Sequence, residues 1–276
     1  MFCIAICAPG TPITPEDAAR VEALAQAEFP ELQLDFHPQC FADGGHFAGP
    51  DEMRLGALLA CANSAADAVW FAKGGYGSNR IAAQAVEALG GRTSDQQWFG
   101  YSDCGYLLAA AHKHGFARAV HGPMPVDLRR EGGEEAIRRA LRWFAGHRDG
   151  LESHLDGRPT VAFNLMTLAM LCGTRFLPDL TGHVVMVEEV SEHLYAIDRL
   201  FFHVTEHLRG IAGLRLGRLT LIPENDRPFG SEPEAIARDW CGRAGIPYLG
   251  RADIGHDAGN KIVPFGPSGQ GHDRLA

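Results

Sequence analysis

The sequence predicts an α/β protein: a mostly parallel sheet in the N-terminal half, followed by a smaller α/β domain. Three observations carry that expectation. Short apolar runs alternate with capped helical segments from Phe2 to Phe144, the pattern of a parallel sheet covered on both faces. A polar stretch from His147 to Pro159 lacks apolar periodicity and reads as a linker. The 276 residues, 46% of them hydrophobic, suffice for two modest cores. The expected boundaries are 1–146 for the first domain, 147–159 for the linker and 160–276 for the second domain.

Phe2 to Ala8 reads as the first strand. Thr14-Pro15-Glu16-Asp17 opens a helix with a capping residue, a proline at its first position and acids in its first turn. Leu32 to Phe36 alternates as a strand does, and Pro50-Asp51-Glu52 opens a helix to about Ala62. Ala68 to Ala72 is a buried strand running into Gly74-Gly75-Tyr76-Gly77, with a helix near Arg80 to Leu89. Trp98 to Ser102 turns into another helix, Ala119 to His121 is a strand, and Glu134 to Phe144 is a helix. Beyond the polar stretch, Asn164 to Leu171 reads as a short helix and His183 to Val187 as a buried strand. A helix from Leu194 to Leu208, a strand at Leu219 to Ile222 and a helix from Glu232 to Ala244 follow. Short strands near Tyr248 and at Ile262 to Phe265 precede Gly266 to Ala276, which reads as a loose, Gly-rich tail.

Composition excludes several classes. A formal charge of −9 and the lack of any long Lys/Arg run argue against nucleic acid as a partner. No run approaches the roughly 20 apolar residues that span a bilayer. Met1 to Ala8 has no basic leader and is interrupted by Pro9-Gly10, so it reads as a strand rather than a signal peptide. The seven cysteines are scattered and form no C-x-x-C, as expected of free thiols in the cytoplasm.

The segment richest in chemistry is Gly100-Tyr101-Ser102-Asp103, where an apolar strand meets a helix. Such a turn lifts a serine hydroxyl from the sheet, beside helix N–H groups suited to an oxyanion. The competing reading makes Ser102 and Asp103 simple cap residues. Strand ends of a parallel sheet share one rim, so Gly74-Gly75-Tyr76-Gly77 is expected beside Ser102. Val184 to Val187 runs into Glu188-Glu189, and His256 stands in Asp253-Ile254-Gly255-His256-Asp257. Ser102, Glu188 and His256 together fit a nucleophile, an orienting acid and a general base.

The chain resembles the LD-carboxypeptidase family of serine peptidases, whose relatives include the microcin-immunity peptidases. The resemblance runs over Phe47-Ala48-Gly49-Pro50-Asp51-Glu52-Met53-Arg54, Lys73-Gly74-Gly75-Tyr76-Gly77-Ser78-Asn79-Arg80 and Phe99-Gly100-Tyr101-Ser102-Asp103. It continues through His121-Gly122-Pro123-Met124, Gly173-Thr174 with Pro178-Asp179-Leu180, Val187-Glu188-Glu189 with Tyr195-Ala196-Ile197-Asp198-Arg199, and Gly255-His256. It implies a flavodoxin-like, amidotransferase-like N-terminal domain carrying Ser102, and a C-terminal domain carrying Glu188 and His256. It also implies backbone oxyanion donors at Gly75 and Asp103, a substrate-binding loop with Lys73, Gly74 and Tyr76, a homodimer, and no metal or other cofactor. The implied reaction is release of a C-terminal D-amino acid, D-alanine from a murein tetrapeptide, with aminoacyl-nucleotide amides as the alternative substrate. Relatives carry arginine where this chain has Lys73, serine where it has Gly10, and two glycines where it has Ala162-Phe163. These departures bear on specificity, and the last is expected to narrow local space.

Rival readings attach to other residues. His203-Val204-Thr205-Glu206-His207 matches H-x-x-E-H, an inverted zinc-peptidase signature, with both histidines on one helix face. His112 and His114 diverge on a helix and make a weaker pair. An α/β-hydrolase elbow needs G-x-S-x-G, but here the second glycine, Gly105, comes one place late. A peptide-binding module that has lost turnover is the non-enzymatic alternative.

Overall fold

Two mostly parallel sheets organise the chain in a computed structural model that describes residues 1–267. In the first, β1 (Phe2–Cys7), β2 (Leu32–Phe36), β3 (Ala68–Phe71), β4 (Gln97–Gly100) and β5 (Arg118–His121) run parallel in the order β5-β4-β3-β1-β2. The helices between and after them are α1 (Pro15–Glu28), α2 (Asp51–Asn63), α3 (Ser78–Leu89), α4 (Gly105–His114) and α5 (Gly133–Phe144). Alternation along the strands sorts the core into two faces. Ile4, Ile6, Trp70 and Phe99 meet Val21 of α1 and Ile137 of α5 on one side. Cys7, Val69, Phe71 and Trp98 meet Leu58 of α2, Ile81 of α3 and Leu107 of α4 on the other. Each large apolar side chain buried this way contributes about 1.5–3 kcal/mol. Thr14 and Asp17 form the capping box of α1 read from the sequence.

The second sheet is built from β6 (Pro159–Asn164), β7 (Val184–Val190), β8 (Gly213–Thr220) and β9 (Tyr248–Arg251), again parallel and in that order. It is covered by α6 (Leu165–Leu171), α7 (Leu194–His207) and α8 (Pro233–Ala244) through a core that includes Phe163, Val185, Phe201, Leu214 and Ile236. Three elements differ from the expectation. β7 runs on to Val190, past the expected end at Val187, so Glu188 and Glu189 lie within the strand. β6 fills a stretch read as the junction of linker and helix. β8 begins six residues earlier than expected, because Arg215, Gly217 and Arg218 interrupt its apolar pattern. Leu221, expected inside that strand, is exposed with φ +53°.

The last described residues tie the sheets together. β10 (Val263–Pro264) adds an antiparallel edge to β5, and β11 (Gly266–Pro267) adds one to β6. Val263 and Pro264 thus belong to the first sheet, although the sequence assigns all of 160–276 to the second domain. Gly266 and Pro267 of the expected tail are strand, and 268–276 lie outside the described residues. The polar stretch 147–159 is half-buried or exposed apart from one anchoring residue, Glu152. Buried Glu152 donates its amide to Ile262 at 3.0 Å and accepts the Asp253 amide at 3.1 Å. No helix among the described residues is long and apolar enough to cross a membrane.

Candidate active site

After β4 the chain passes through Tyr101 into a tight 3-10 turn, Ser102–Cys104, and then α4. Ser102 takes φ +60°, a left-handed conformation that costs a side-chain-bearing residue about 1–2 kcal/mol. The cap reading fails here: α4 has Cys104 at its N-cap and no side-chain cap. Asp103 serves a different helix. Its carboxylate accepts the amides of Ser78 at 2.9 Å and Gly77 at 3.3 Å, at the start of α3. Burial pushes the Asp103 carboxyl up, and the Ser78 and Gly77 amide bonds work against that.

The glycine loop after β3 lies against this turn. A Cβ on Gly74 would stand 3.2 Å from Ser102 Oγ and 3.3 Å from the Asp103 nitrogen. Gly75 has φ +87°, and a Cβ there would meet Thr11 at 2.7 Å. Thr11 fixes the loop by donating both its amide and its hydroxyl to the Gly74 carbonyl, at 3.1 and 2.9 Å. The Gly10 departure has a steric reason: a Cβ there would lie 2.5 Å from the Gly74 oxygen. Arg54, fully buried, holds the far end by donating to the carbonyls of Gly77 at 2.8 Å and Pro9, and to Asp51.

Glu188 and His256 reach the same point from the second sheet. Glu188 comes from the C-terminal part of β7, fully buried, and accepts from His256 Nδ1. His256 Nε2 stands 3.0 Å from Ser102 Oγ. Burial works to lower the His256 pKa, but the charge and hydrogen bond of Glu188 outweigh it, and the net shift is upward. Gly217 of β8 makes room for Glu188, since a Cβ there would lie 3.0 Å from the Glu188 Cβ. The histidine loop is clamped by Arg218, which donates to both oxygens of Asp257, at 2.5 and 2.8 Å, and to Asp253. Asn260 Oδ1 accepts the Gly255 amide at 3.2 Å and lies 3.0 Å from His121 Nε2. The Tyr101 ring packs 4.8 Å from His256, its hydroxyl donating to buried Asp127 at 2.8 Å.

Glu189 points elsewhere. It accepts from Asn164 Nδ2 at 2.7 Å and from the amides of Met166 and Val190, each at 2.8 Å. Asn164 in turn caps α6 by accepting the Thr167 amide at 3.1 Å, and Thr167 donates its hydroxyl to the Ser102 carbonyl at 3.3 Å. Glu189 therefore braces the helix that backs the serine turn. Burial raises its carboxyl pKa to about 7, against those donors. The sequence flagged neither Asn164 nor Arg218 as part of the site. An N-cap asparagine before an apolar helix is a readable signal; an arginine in a half-buried strand is not.

The remaining candidates separate. Tyr76 is exposed and packs 5.9 Å from Phe47 and 6.0 Å from His46, at the lip of the glycine loop. Lys73 is half-buried; burial and the nearby Arg129 charge lower its pKa, while Asp17 opposes. Phe163 lies under Gly105, whose Cβ would meet its ring at 3.3 Å, and against Phe265 at 5.2 Å, so the space near the expected two-glycine position is filled. His112 packs on His183 and Phe265, while His114 stacks on Phe116, so that pair diverges as expected. In the H-x-x-E-H segment, His203 Nε2 donates to the Ala169 carbonyl at 3.1 Å and His207 Nδ1 to the His203 carbonyl at 2.9 Å.

Comparison with known proteins covers both sheets. The LD-carboxypeptidase N-terminal domain matches residues 4–122, and the LD-carboxypeptidase C-terminal domain matches residues 159–270. A murein tetrapeptide carboxypeptidase of Pseudomonas aeruginosa is 27% identical over 219 residues, covering 72% of this chain and 70% of that protein. The solved muramoyltetrapeptide carboxypeptidase of Oxalobacter formigenes superposes with a TM-score of 0.76 at 22% identity, over 96% of this chain and 92% of that one. MccF in complex with glutamyl sulfamoyl guanosine gives 0.75 at 15% identity, over 96% and 91% of the two chains. With both halves matched in order, on a fold shared along nearly its whole length, the chain belongs to the LD-carboxypeptidase family.

Proposed function

We propose that this protein is a serine carboxypeptidase that cleaves the amide between an L-configured centre and a C-terminal D-amino acid, releasing D-alanine from murein tetrapeptides. One observation carries the mechanism: the hydrogen-bonded series from Ser102 through His256 to Glu188. His256 Nε2 takes the hydroxyl proton as Ser102 Oγ attacks the scissile carbonyl, and Glu188 holds the imidazole tautomer and favours its charged form. The oxyanion is received by the backbone N–H groups of Asp103 and Gly75. As the C–N bond breaks, His256 returns the proton to the leaving amine. Water, deprotonated by His256, then cleaves the acyl-enzyme and frees Ser102. Each step uses groups of this chain and water.

Substrate assignment rests on the murein tetrapeptide carboxypeptidase relative and on Lys73, proposed to bind the terminal carboxylate beside Gly74 and Tyr76. The seven free cysteines suit a reducing compartment, so we place the enzyme in the cytoplasm, as a homodimer like other family members. A mass-spectrometric screen against murein tripeptides, tetrapeptides, pentapeptides and an aminoacyl sulfamoyl-adenosine tests this reading. Cleavage of the tetrapeptide to tripeptide and D-alanine is expected. Cleavage of only the aminoacyl sulfamoyl-adenosine would move the assignment to the microcin-immunity type, and peptide binding without turnover would make the protein a binding module.

A further inference from the structure

Away from the serine site, the ends of α6 and α7 bring three metal-ligating side chains together. Cys172 is the C-cap of α6, and His203 and His207 stand one turn apart on α7. The Cys172 sulfur and one ring nitrogen from each histidine all lie within 4.8 Å of one another. The imidazoles are 4.5 Å apart between centroids. We propose that Cys172, His203 and His207 bind a thiolate- and imidazole-preferring divalent cation of the zinc class, pinning the end of α6 to α7.

The donor set selects the ion. One sulfur with two imidazole nitrogens suits zinc and cobalt and is a poor match for magnesium or calcium, which take oxygen ligands. Histidines at i and i+4 share a helix face, so α7 presents both at once. His203 Nε2–H is committed to the Ala169 carbonyl at 3.1 Å, so His203 would bind an ion through Nδ1, and the tautomer is set at His207 as well. Its Nδ1–H is committed to the His203 carbonyl, which leaves the Nε2 lone pair free. That nitrogen lies on the Cys172 side, 3.8 Å from where a Cβ of Gly173 would be. A backbone acceptor on the other ring nitrogen is the usual arrangement behind a metal-bound histidine. The Cys172 backbone is held as well: its amide bonds the Leu168 carbonyl at 3.1 Å, and Lys113 ties the following loop through the Arg175 and Leu177 carbonyls at 2.7 and 2.9 Å. Cys172 is buried, His203 half-buried and His207 exposed, so the ion would bind at the surface end of the cluster, with a solvent water completing a tetrahedron. On binding, the thiol loses its proton to solvent as the sulfur–metal bond forms.

This proposal does not depend on the peptidase reading, because none of the three residues is part of the serine series. The test uses the full chain, stripped with a chelator and titrated with zinc chloride, then with cobalt chloride. One ion per chain is expected, with an upward shift in Tm. The cobalt form should show the intense visible bands of tetrahedral coordination and a near-ultraviolet thiolate-to-cobalt transition. Cys172→Ser should abolish that transition. His207→Asn, at an exposed position that folding tolerates, should weaken zinc binding about 10-fold or more. Lack of stoichiometric binding, a cobalt spectrum without the thiolate transition, or full affinity in both variants would overturn the proposal.

Discussion

The Ser102 hydroxyl and the His256 imidazole lie 154 residues apart in the chain and meet at 3.0 Å, one from each sheet. The first sheet supplies Ser102 to this contact, and the second supplies Glu188 and the loop that carries His256. The strained turn after β4 raises the hydroxyl, while the Arg218 clamp and Asn260 set the histidine loop. β10 and β11 then link the two sheets just beyond that loop, one pairing with β5 and the other with β6.

The adjacent acids of β7 should behave differently. Glu188 bonds His256, whereas Glu189 bonds the start of α6. Glu188→Gln is expected to cut kcat by about 10⁴-fold, the scale seen when the orienting acid of a triad is neutralised. Glu189→Gln should change kcat by less than about 10-fold, since it touches no group of the serine series. Equal losses from both, or the reverse ranking, would contradict this division.

The pH–rate profile should report the Glu188–His256 pair. Burial acts to lower the His256 pKa, and the Glu188 charge and hydrogen bond raise it further than burial lowers it. The base form therefore appears at higher pH than for an ordinary histidine. The rising limb of kcat/KM is expected above the usual value of about 6.5. In Glu188→Gln burial is the largest remaining influence, with Arg130 also lowering and Asp127 raising, so the limb should move below that value in the residual activity. An unmoved limb would mean that another group sets it.

Stability should fall with rising pH through Glu189. Its folded pKa of about 7 exceeds the ordinary 4.5, so between those values the folded chain keeps a proton that the unfolded chain has lost. The contribution is complete below about pH 4.5 and is lost as pH rises through 7, worth about 3 kcal/mol across the window. His256, also raised, has the same sign and loses its contribution as pH rises above its ordinary value. Urea unfolding at pH 5 and pH 8 separates them: Glu189→Gln should flatten most of the difference. An unchanged pH dependence in that variant would assign the slope elsewhere.

Lys73 is proposed to hold the substrate's terminal carboxylate. Amidating that carboxylate should raise KM or abolish cleavage, by about 10- to 150-fold for a charge-assisted contact. Lys73→Met should weaken the free-acid substrate and leave the amidated one nearly unchanged. Equal cleavage of the acid and amide forms by the wild type would show that Lys73, which lies near Arg129 and Asp17, serves the fold instead.

Legibility in the sequence followed local physics. Capped helices and uninterrupted apolar strands were readable because their signals are local, as at Thr14–Asp17 and Ala68–Phe71. Ser102 stands where β4 gives way to a turn, Glu188 near the end of an apolar strand and His256 in the loop after β9. Partners that act across the fold were not readable. Arg218 looks like a break in a strand until Asp253 and Asp257 are seen around it. Thr160 to Phe163 is too short, beside Asp156-Gly157-Arg158, to announce a strand that is parallel to β7 and carries β11 on its other edge. The cap reading of Asp103 was right in kind and wrong in place, since its carboxylate caps α3 rather than α4.

The most direct test is release of D-alanine from a murein tetrapeptide by chelator-treated wild type and Ser102→Ala, followed by mass spectrometry. The wild type should yield tripeptide and D-alanine at full rate without added metal, and Ser102→Ala should fall by about 10⁴-fold or more. Retained activity in Ser102→Ala would contradict a serine mechanism, and loss of that retained activity on chelation, restored by zinc, would move the chemistry to His203 and His207.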